Sequence, residues 1–227
     1  MIQTIYSTTF EQYLNKELIK NDILKRKIPI GWNVEKIGDF ITLNNGISYT
    51  EKDLIDGIPM INLNSFNLDG SYKVDGIKKY NGKYKKENIL IANDLLISKT
   101  DVTRNRDIIC KSIIVPNIFE SDIVCTSDIS KIECNNISKY YLNSLFNSKS
   151  FHNYIKQFAN GTVVLHLIVD GLLNFKIPIP NDNTFKEFDD KVEPLHNEIS
   201  IIMKENLKLN DLKQQLLPLL INGQIEI

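Results

Sequence analysis

The most regular pattern of apolar and polar positions lies at the C-terminal end of the chain. Alternating steps of three and four residues from Phe185 reach eleven positions, and nine of them are apolar. The positions are Phe185, Phe188, Val192, Leu195, Ile199, Ile202, Asn206, Leu209, Lys213, Leu216 and Leu220. This spacing predicts a long helix with a coiled-coil seam, in which Asn206 sits where a buried amide fixes register and partner number. The stripe either pairs with another helix or packs on its own domain, and its length favours pairing.

Sequence signals predict where this helix begins and ends. Thr184, followed three residues later by Glu187, is typical of a capping box. Pro194 removes one helical hydrogen bond at a cost of about 3 kcal/mol, so the helix either kinks there or a second helix begins with this proline. Pro218 predicts that the helix ends or bends close to this position. Asn222, which precedes a glycine, predicts a turn into a short terminal strand.

The first 182 residues mix helical and strand-like patterns. Thr9 and Gln12 form a capping box ahead of apolar residues at helical spacing, which predicts a helix over 8–25. Short β-branched runs between glycine turns predict strands through 33–134: "DFITL", "GIPMINL", "NILIA", "DLLIS", "DIICKSIIV" and "SDIVCTSDISKIEC". Helical spacing returns over 138–159, and "GTVVLHLIV" and "FKIPIP" again resemble strands.

Together these patterns predict an α+β fold, in which a globular mixed α/β domain precedes a long coiled-coil-forming C-terminal helix. We expect three regions. Residues 1–29 form an N-terminal helix and lead-in segment, and residues 30–182 form the globular domain. Residues 183–227 form a spacer or dimerisation helix with a short terminal strand.

The bulk composition is that of a soluble globular protein, with 42% hydrophobic and 24% charged residues. The net charge is −1, so any contact with nucleic acid must depend on a local surface. No apolar run reaches membrane-spanning length, and the first residues lack the basic and apolar pattern of a signal peptide. The cytoplasm is therefore the expected compartment, with no membrane partner.

Residues that carry chemistry are scattered. Cys110, Cys125 and Cys134 include no C-x-x-C pair, and the three histidines stand at no ligand-like spacing, so we expect reduced thiols and no metal site. The nucleotide-binding glycine motifs, the nucleophile elbow and the zinc-protease motif do not occur. The tetrapeptides with which amino-methyltransferases grip a flipped adenine do not occur either. The sequence therefore favours a binding or adaptor protein over an enzyme, without a cofactor.

One segment suggests a polyanionic ligand. Residues 71–88, the lysine–tyrosine segment, carry six lysines against Asp75 and Glu87, a local charge of +4. The candidate contact residues are Lys73, Lys78, Lys79, Tyr80, Lys83, Tyr84, Lys85 and Lys86. Lysines neutralise phosphates, and tyrosines bond to phosphates or contact sugars and base edges. The alternative is that these are charged, solvated turns between strands.

A second cluster lies in residues 98–107, the basic loop. Its candidate residues are Lys99, Thr100, Arg104, Asn105 and Arg106. Arginine and asparagine have the side-chain shapes best suited to bidentate reading of guanine and adenine in the major groove. The same alternative of a merely solvated turn applies here.

Taken together, these features resemble the DNA-specificity (S) subunit of type I restriction–modification systems, in a half-length form with one target-recognition domain. The motifs are "LKRKIPIGWNVEKIGDF", "IANDLLISKT", "ANGTVVLHLIVDGLLNFKIPIP" and "LKLNDLKQQLLPLLINGQIEI", which together extend over nearly the whole chain. Within the second motif, Asn93 and Asp94 stand in place of the Gly-Asp that is usual in the family. Glu187 is followed by Phe188 where the family usually has Glu-Gln.

The resemblance implies that residues 30–182 read one short half-site in double-stranded DNA and that the helix sets the distance to a second reader. A chain with one reader and one helix is expected to form a homodimer through antiparallel helices. The expected seam residues are Leu195, Ile199, Ile202, Asn206, Leu209 and Leu216. The family implies a methyltransferase (modification) subunit and a restriction/translocase subunit as partners, and no catalysis by the S subunit.

Two rival interpretations remain. The chain could be a target-recognition module of a split type II methyltransferase–nuclease, or a coiled-coil interaction protein with no nucleic-acid role. A methyltransferase gene beside this one would favour the family interpretation, and its absence would favour the second rival.

Overall fold

The structure combines five α-helices with fourteen short β-strands within the described part of the chain. The computed structural model describes residues 1–103, 105–181 and 183–222. Its helices are α1 Ile2–Tyr6, extended by a π-helical turn Ser7–Glu11, then α2 Lys139–Asn147, α3 Lys149–Ile155, α4 Val169–Leu173 and α5 Thr184–Ile221. The predicted α+β class, with a mixed domain and a long C-terminal helix, is confirmed.

The strands are short. They are β1 Leu18–Asn21, β2 Arg26–Pro29, β3 Asn33–Lys36, β4 Ile41–Asn45, β5 Ile58–Ile61, β6 Lys78–Tyr80, β7 Leu95–Ser98, β8 Thr100–Asp101, β9 Ser112–Ile114, β10 Val124–Cys125, β11 Ile129–Cys134, β12 Ala159–Asn160, β13 Leu165–Leu167 and β14 Lys176–Ile179. The largest sheet has the order β4-β11-β7-β9, and β10-β5-β6 and β12-β13-β8 form smaller sheets. The pairs β1-β2 and β14-β3 are two-stranded. Among these, only β10 and β5 pair in parallel.

The main core joins the N-terminal helix, α2 and the first turns of α5. Phe10 is 2% exposed, and its ring centroid lies 4.6 Å from that of Tyr141 and 5.2 Å from that of Phe188. Tyr6 and Trp32 belong to the same core. Residues 1–29 therefore share a core with the globular region and with α5, although the predicted boundaries after residues 29 and 182 stay predictions.

The predicted helix over 8–25 is wrong. Helical structure ends at Glu11, Tyr13 and Asn15 have positive φ angles of 51° and 62°, and the chain continues into the β1-β2 hairpin. The expected capping box does not form, because the Thr9 hydroxyl donates to the Ile5 carbonyl oxygen at 2.8 Å, inside the helical segment. The apolar residues at helical spacing are thus separated: Phe10 is buried in the helical segment, whereas Leu14 and Leu18 are exposed in the following turn and strand.

Most other predicted elements are confirmed in shorter form. The run 88–92 is not a strand, since Leu90 makes only an isolated bridge to Ile123. The predicted helix 138–159 is present but interrupted at Ser148, which has an extended ψ of 147° and whose hydroxyl accepts from the Phe151 amide at 3.3 Å. The helix therefore restarts with its own cap.

The helix α5 runs from Thr184 to Ile221 over 38 residues, with Pro194 and Pro218 inside it. The helix therefore continues through both prolines, so no second helix begins at Pro194 and the helix does not end at Pro218. The capping box at Thr184 is also wrong, because Asn183 occupies the cap position and the Thr184 hydroxyl accepts from Lys16 Nζ at 3.1 Å. The predicted terminal strand falls on residues outside the described part of the chain.

Candidate nucleic-acid interface

The lysine–tyrosine segment contains β6, the outer strand of the β10-β5-β6 sheet. Pairing with β5 sets Ile58 opposite Tyr80 and Met60 opposite Lys78. Lys78 Nζ donates to the Tyr49 hydroxyl at 2.6 Å and lies 4.7 Å from the centroid of that ring. The β6 strand of this segment is therefore held in a fixed position on the sheet.

The two tyrosines nominated in this segment differ in access. Tyr80 is 3% exposed, and its hydroxyl donates to the Lys83 carbonyl oxygen at 2.9 Å. Tyr84 is 37% exposed and its hydroxyl donates to Asp122 Oδ2 at 3.1 Å, a hydrogen bond that raises the pKa of Tyr84. Tyr80 therefore shapes the turn from within, whereas Tyr84 remains at the surface.

Most lysines of the segment point into solvent. Lys85 pairs with Glu87 at 3.3 Å, and both side chains are more than 70% exposed, so screening leaves this pair weak. Lys73, Lys79, Lys83 and Lys86 are exposed and have no ion-pair partner among the described residues. Their charges are free to meet an anionic ligand.

The basic loop is built around a residue that the sequence did not single out. Asp101 is fully buried, and its carboxylate accepts hydrogen bonds from the backbone amides of Thr103, Ile108 and Ile109 at 2.6, 2.6 and 2.8 Å. This carboxylate therefore forms hydrogen bonds with backbone amides near both ends of the loop. A buried carboxylate held by several amides fixes the backbone at Thr103, Ile108 and Ile109.

The candidate residues of this loop are not equivalent. Lys99 Nζ donates to Asn45 Oδ1 at 2.7 Å, and burial lowers its pKa. Thr100 is 5% exposed and its hydroxyl donates to Asp128 Oδ1 at 3.0 Å. Arg106 Nη1 donates to the Lys156 carbonyl oxygen at 2.7 Å, and Asn105 is exposed. Arg104 lies outside the described residues.

Residues 45–49 connect the two clusters. Asn45 accepts the hydrogen bond from Lys99 and Tyr49 accepts the one from Lys78, and four residues span at most about 14 Å. Gly46 allows this course, because a Cβ there would collide with the carbonyl oxygens of residues 125 and 126. Lys99 at the start of the basic loop and Lys78 in the lysine–tyrosine segment are therefore anchored to residues only four positions apart.

The predicted seam residues lie along α5. Ile199, Ile202, Leu209 and Leu216 are 40%, 49%, 62% and 37% exposed, and Asn206 is also exposed. Leu195, Ile199 and Ile202 line an open groove of about 580 Å³ together with Met1 and Ile2. The seam is thus present as an apolar surface that the described residues of this chain do not cover.

Further features bear on the remaining predictions. The three cysteines are free thiols, as predicted, and burial raises the pKa of Cys134 to about 11. The described residues contain no group of His, Cys, Asp or Glu side chains placed to hold a metal ion. No helix within the described ranges is both long and apolar enough to cross a bilayer.

With this geometry in place, the comparisons with known proteins are informative. Residues 29–217 match the family described as the type I restriction modification DNA specificity domain. The chain belongs to this family. The resemblance inferred from the motifs is therefore confirmed.

One relative is the type I restriction enzyme MjaIX specificity subunit of Methanocaldococcus jannaschii, which is 24% identical over 228 residues. The alignment includes 96% of this chain and 50% of that protein. The specificity-domain chain thus spans about half the length of the curated relative it matches.

Solved structures of S subunits are similar to this chain at low sequence identity. The HsdS subunit from Thermoanaerobacter tengcongensis superposes with a TM-score of 0.47 at 15% identity, over 99% of this chain and 50% of that one. The S subunit of a type I system from M. genitalium gives a TM-score of 0.49 at 14% identity, over 82% and 42% of the two chains.

Proposed function

We propose that this specificity domain reads one half-site of a two-part DNA target through the surface formed by the lysine–tyrosine segment and the basic loop. The observation that supports this proposal is the junction at residues 45–49, through which Lys78 and Lys99 are anchored to residues only four positions apart. Free lysines lie on one part of that surface, and side chains suited to base edges lie on the other.

The proposed contacts divide by role. Lys79, Lys83, Lys85 and Lys86 neutralise phosphates, with Lys73 and Lys78 at the edge of the set, and Tyr84 bonds to the backbone. Arg104, Asn105 and Arg106 approach base edges, with Lys99 beside them. Tyr80 and Thr100 are left out of the proposed contacts, because both are buried and their hydroxyls bond internally.

We further propose that two copies pair through the seam of α5, and that the resulting pair assembles with a methyltransferase subunit and a restriction/translocase subunit. The chain itself would supply recognition and scaffolding without catalysis, in the compartment that contains the DNA. The exposed seam supports the pairing, and membership of the specificity-domain family supports the assembly.

Methylome sequencing tests the proposal most directly. A host that carries this gene with its methyltransferase partner should methylate an interrupted palindrome, because two identical readers related by a two-fold axis see the same half-site on opposite strands. A continuous, asymmetric motif would contradict the symmetric pair and favour the split type II module.

Alanine variants then locate the contacts. Lys79→Ala or Lys83→Ala should weaken binding to all duplexes and lower the salt slope by about one. Arg106→Ala should cost about 1–3 kcal/mol at one position of the motif. Lys186→Ala is a matched control, since this exposed lysine pairs with Asp190 on α5. Normal binding and methylation by all the surface variants would show that the reading surface lies elsewhere.

A further inference from the structure

The β1-β2 hairpin carries a cluster of cations outside the proposed reading surface. Lys20 and Lys27 stand directly opposite each other in the antiparallel register, and Lys25 and Arg26 continue the cluster into the turn. All four side chains are exposed, and Asp22 is the one acidic residue between positions 18 and 29. Four cations and one anion give the hairpin a local charge of +3.

This arrangement is unfavourable for the isolated chain. Like charges directly opposite each other on neighbouring strands destabilise a sheet. The described residues provide no ion-pair partner for any of the four cations, and Arg26 Cζ lies 6.0 Å from the centroid of the Tyr13 ring. The repulsion would be relieved by an external anion with charges spaced along the ribbon.

The hairpin is nevertheless firmly placed. Ile28 is 1% exposed within the main core, and Asn21 Oδ1 accepts from the amides of Ile23 and Leu24 at 3.0 and 2.9 Å, which fixes the turn. No other described strand pairs with β1 or β2, so both edges of the ribbon are unpaired. A two-stranded ribbon has dimensions that fit against a duplex.

We propose that this hairpin contacts the phosphate backbone of DNA flanking the half-site and contributes affinity that is independent of sequence. The inference rests on the proposed DNA-reading function. A domain of this size is roughly 40 Å across, so about 12 base pairs of duplex extend from one side of it to the other. Backbone contacts of this kind position a protein on DNA without reading it.

The test uses the full chain and a 40-base-pair duplex of random sequence, with binding measured by fluorescence anisotropy between 50 and 200 mM salt. The variant Lys20→Gln/Lys27→Gln should lower the slope of log K against log salt by about two and weaken binding about tenfold near 0.1 M salt. Its thermal midpoint should not fall, because the substitution removes a repulsion.

Two controls separate this inference from weaker explanations. Lys36→Gln/Lys176→Gln removes the same number of charges from an opposed lysine pair in the β14-β3 ribbon and should leave the slope unchanged. Ile19→Ser/Ile23→Ser alters exposed apolar residues of the same hairpin and should also have no effect on DNA binding.

The outcomes are distinct. An unchanged slope in the Lys20/Lys27 variant, or an equal loss in the Lys36/Lys176 control, overturns the assignment. Weaker binding only in the Ile19/Ile23 variant also overturns it and marks the hairpin as a surface for a protein partner. If the wild-type chain binds no duplex even at 50 mM salt, the proposed DNA-reading function itself fails. This result differs from failure of the hairpin proposal, in which the wild type binds DNA and the hairpin variant binds it equally well.

Discussion

The proximal half of α5, residues 184–207, and its distal half, residues 208–221, carry the same three-four spacing of apolar residues but have different surroundings. In the proximal half, Phe188 and Val192 are buried in the main core, and Met203 and Leu207 pack on a second apolar cluster. In the distal half, every residue except Leu220 is exposed, including Leu209. One pattern thus occurs in two environments.

The difference teaches that heptad spacing identifies an apolar helix but not its partner. The face that packs on the domain follows Val192, His196, Ser200, Met203 and Leu207. At 100° per residue, this face lies roughly 90° from the predicted seam. The helix therefore lies on its own domain along one face, while pairing through the predicted seam, which the described residues leave exposed, stays a prediction.

The largest expected effect comes from removing a proximal anchor. Phe188→Ala should lower the free energy of unfolding by about 3–5 kcal/mol, because the ring is 1% exposed among Tyr6 and Phe10. Leu209→Ala, as the distal counterpart, should change the stability of the monomer by less than about 0.5 kcal/mol. Urea unfolding at low protein concentration measures both, and equal losses would contradict the division of the helix.

The second prediction concerns the free seam. Ile199→Glu/Ile202→Glu should weaken self-association at least about 100-fold, because pairing would bury two unpaired carboxylates. Sedimentation should then give monomers at concentrations where the wild type is dimeric.

Ile201→Glu provides the control for the seam variants. Ile201 is 59% exposed and lies on neither face, so its substitution should not alter sedimentation. A wild-type chain that remains monomeric at high micromolar concentration would remove the basis for the symmetric pair.

A smaller change in the free energy of unfolding should depend on pH, through a histidine in the proximal half of α5. His196 stacks on Tyr140 with ring centroids 5.2 Å apart, and burial, followed by the charge of Lys139, lowers the pKa of His196 to about 4. Since the folded-state pKa lies below the usual 6.5, the contribution to stability is present above pH 6.5 and is lost as pH falls toward 4. The free energy of unfolding should fall by up to about 1.4 kcal/mol per pH unit for each such histidine.

His152 shares this behaviour, because burial together with Lys111 and Lys156 also lowers its pKa to about 4. His196→Asn should therefore remove one of two proton uptakes, measured as a shallower dependence of the unfolding free energy on pH. An unchanged pH dependence would show that His196 is not charged on unfolding. The oligomeric state should not respond to this substitution, since His196 lies outside the seam.

The smallest change in the free energy of unfolding is expected when the length of α5 is altered, which should change the gap between the two half-sites. The 38 residues of α5 extend about 57 Å, or roughly 17 base pairs of duplex, part of which the half-sites themselves occupy. Seven residues inserted after Leu209 would preserve the seam and lengthen the gap in the methylated motif by about three base pairs. An unchanged gap would mean that the distal half does not set the distance between readers.

The secondary-structure elements differ in how well the sequence alone predicts them. The strands of the large sheet and the helices over 138–159 follow from β-branched runs and periodicity, because their partners reinforce local preference. The segment 8–25 does not, because "ELIKNDILKRKIP" fits a helical count as well as a hairpin. The hairpin forms because Ile28 and Phe10 are both buried in the main core. That burial depends on tertiary packing, which a local sequence pattern does not contain.

The candidate site divides in the same way. The sequence by itself determined the family, the free lysines of segment 71–88 and the apolar stripe of α5, since charge and periodicity are properties of the chain. Only the tertiary structure decided that Tyr80 and Thr100 are buried, that Asp101 holds the basic loop and that Asn45 and Tyr49 join the two clusters. Each of these depends on a hydrogen bond or packing contact made across the fold, and such contacts exist only once the chain has closed on itself.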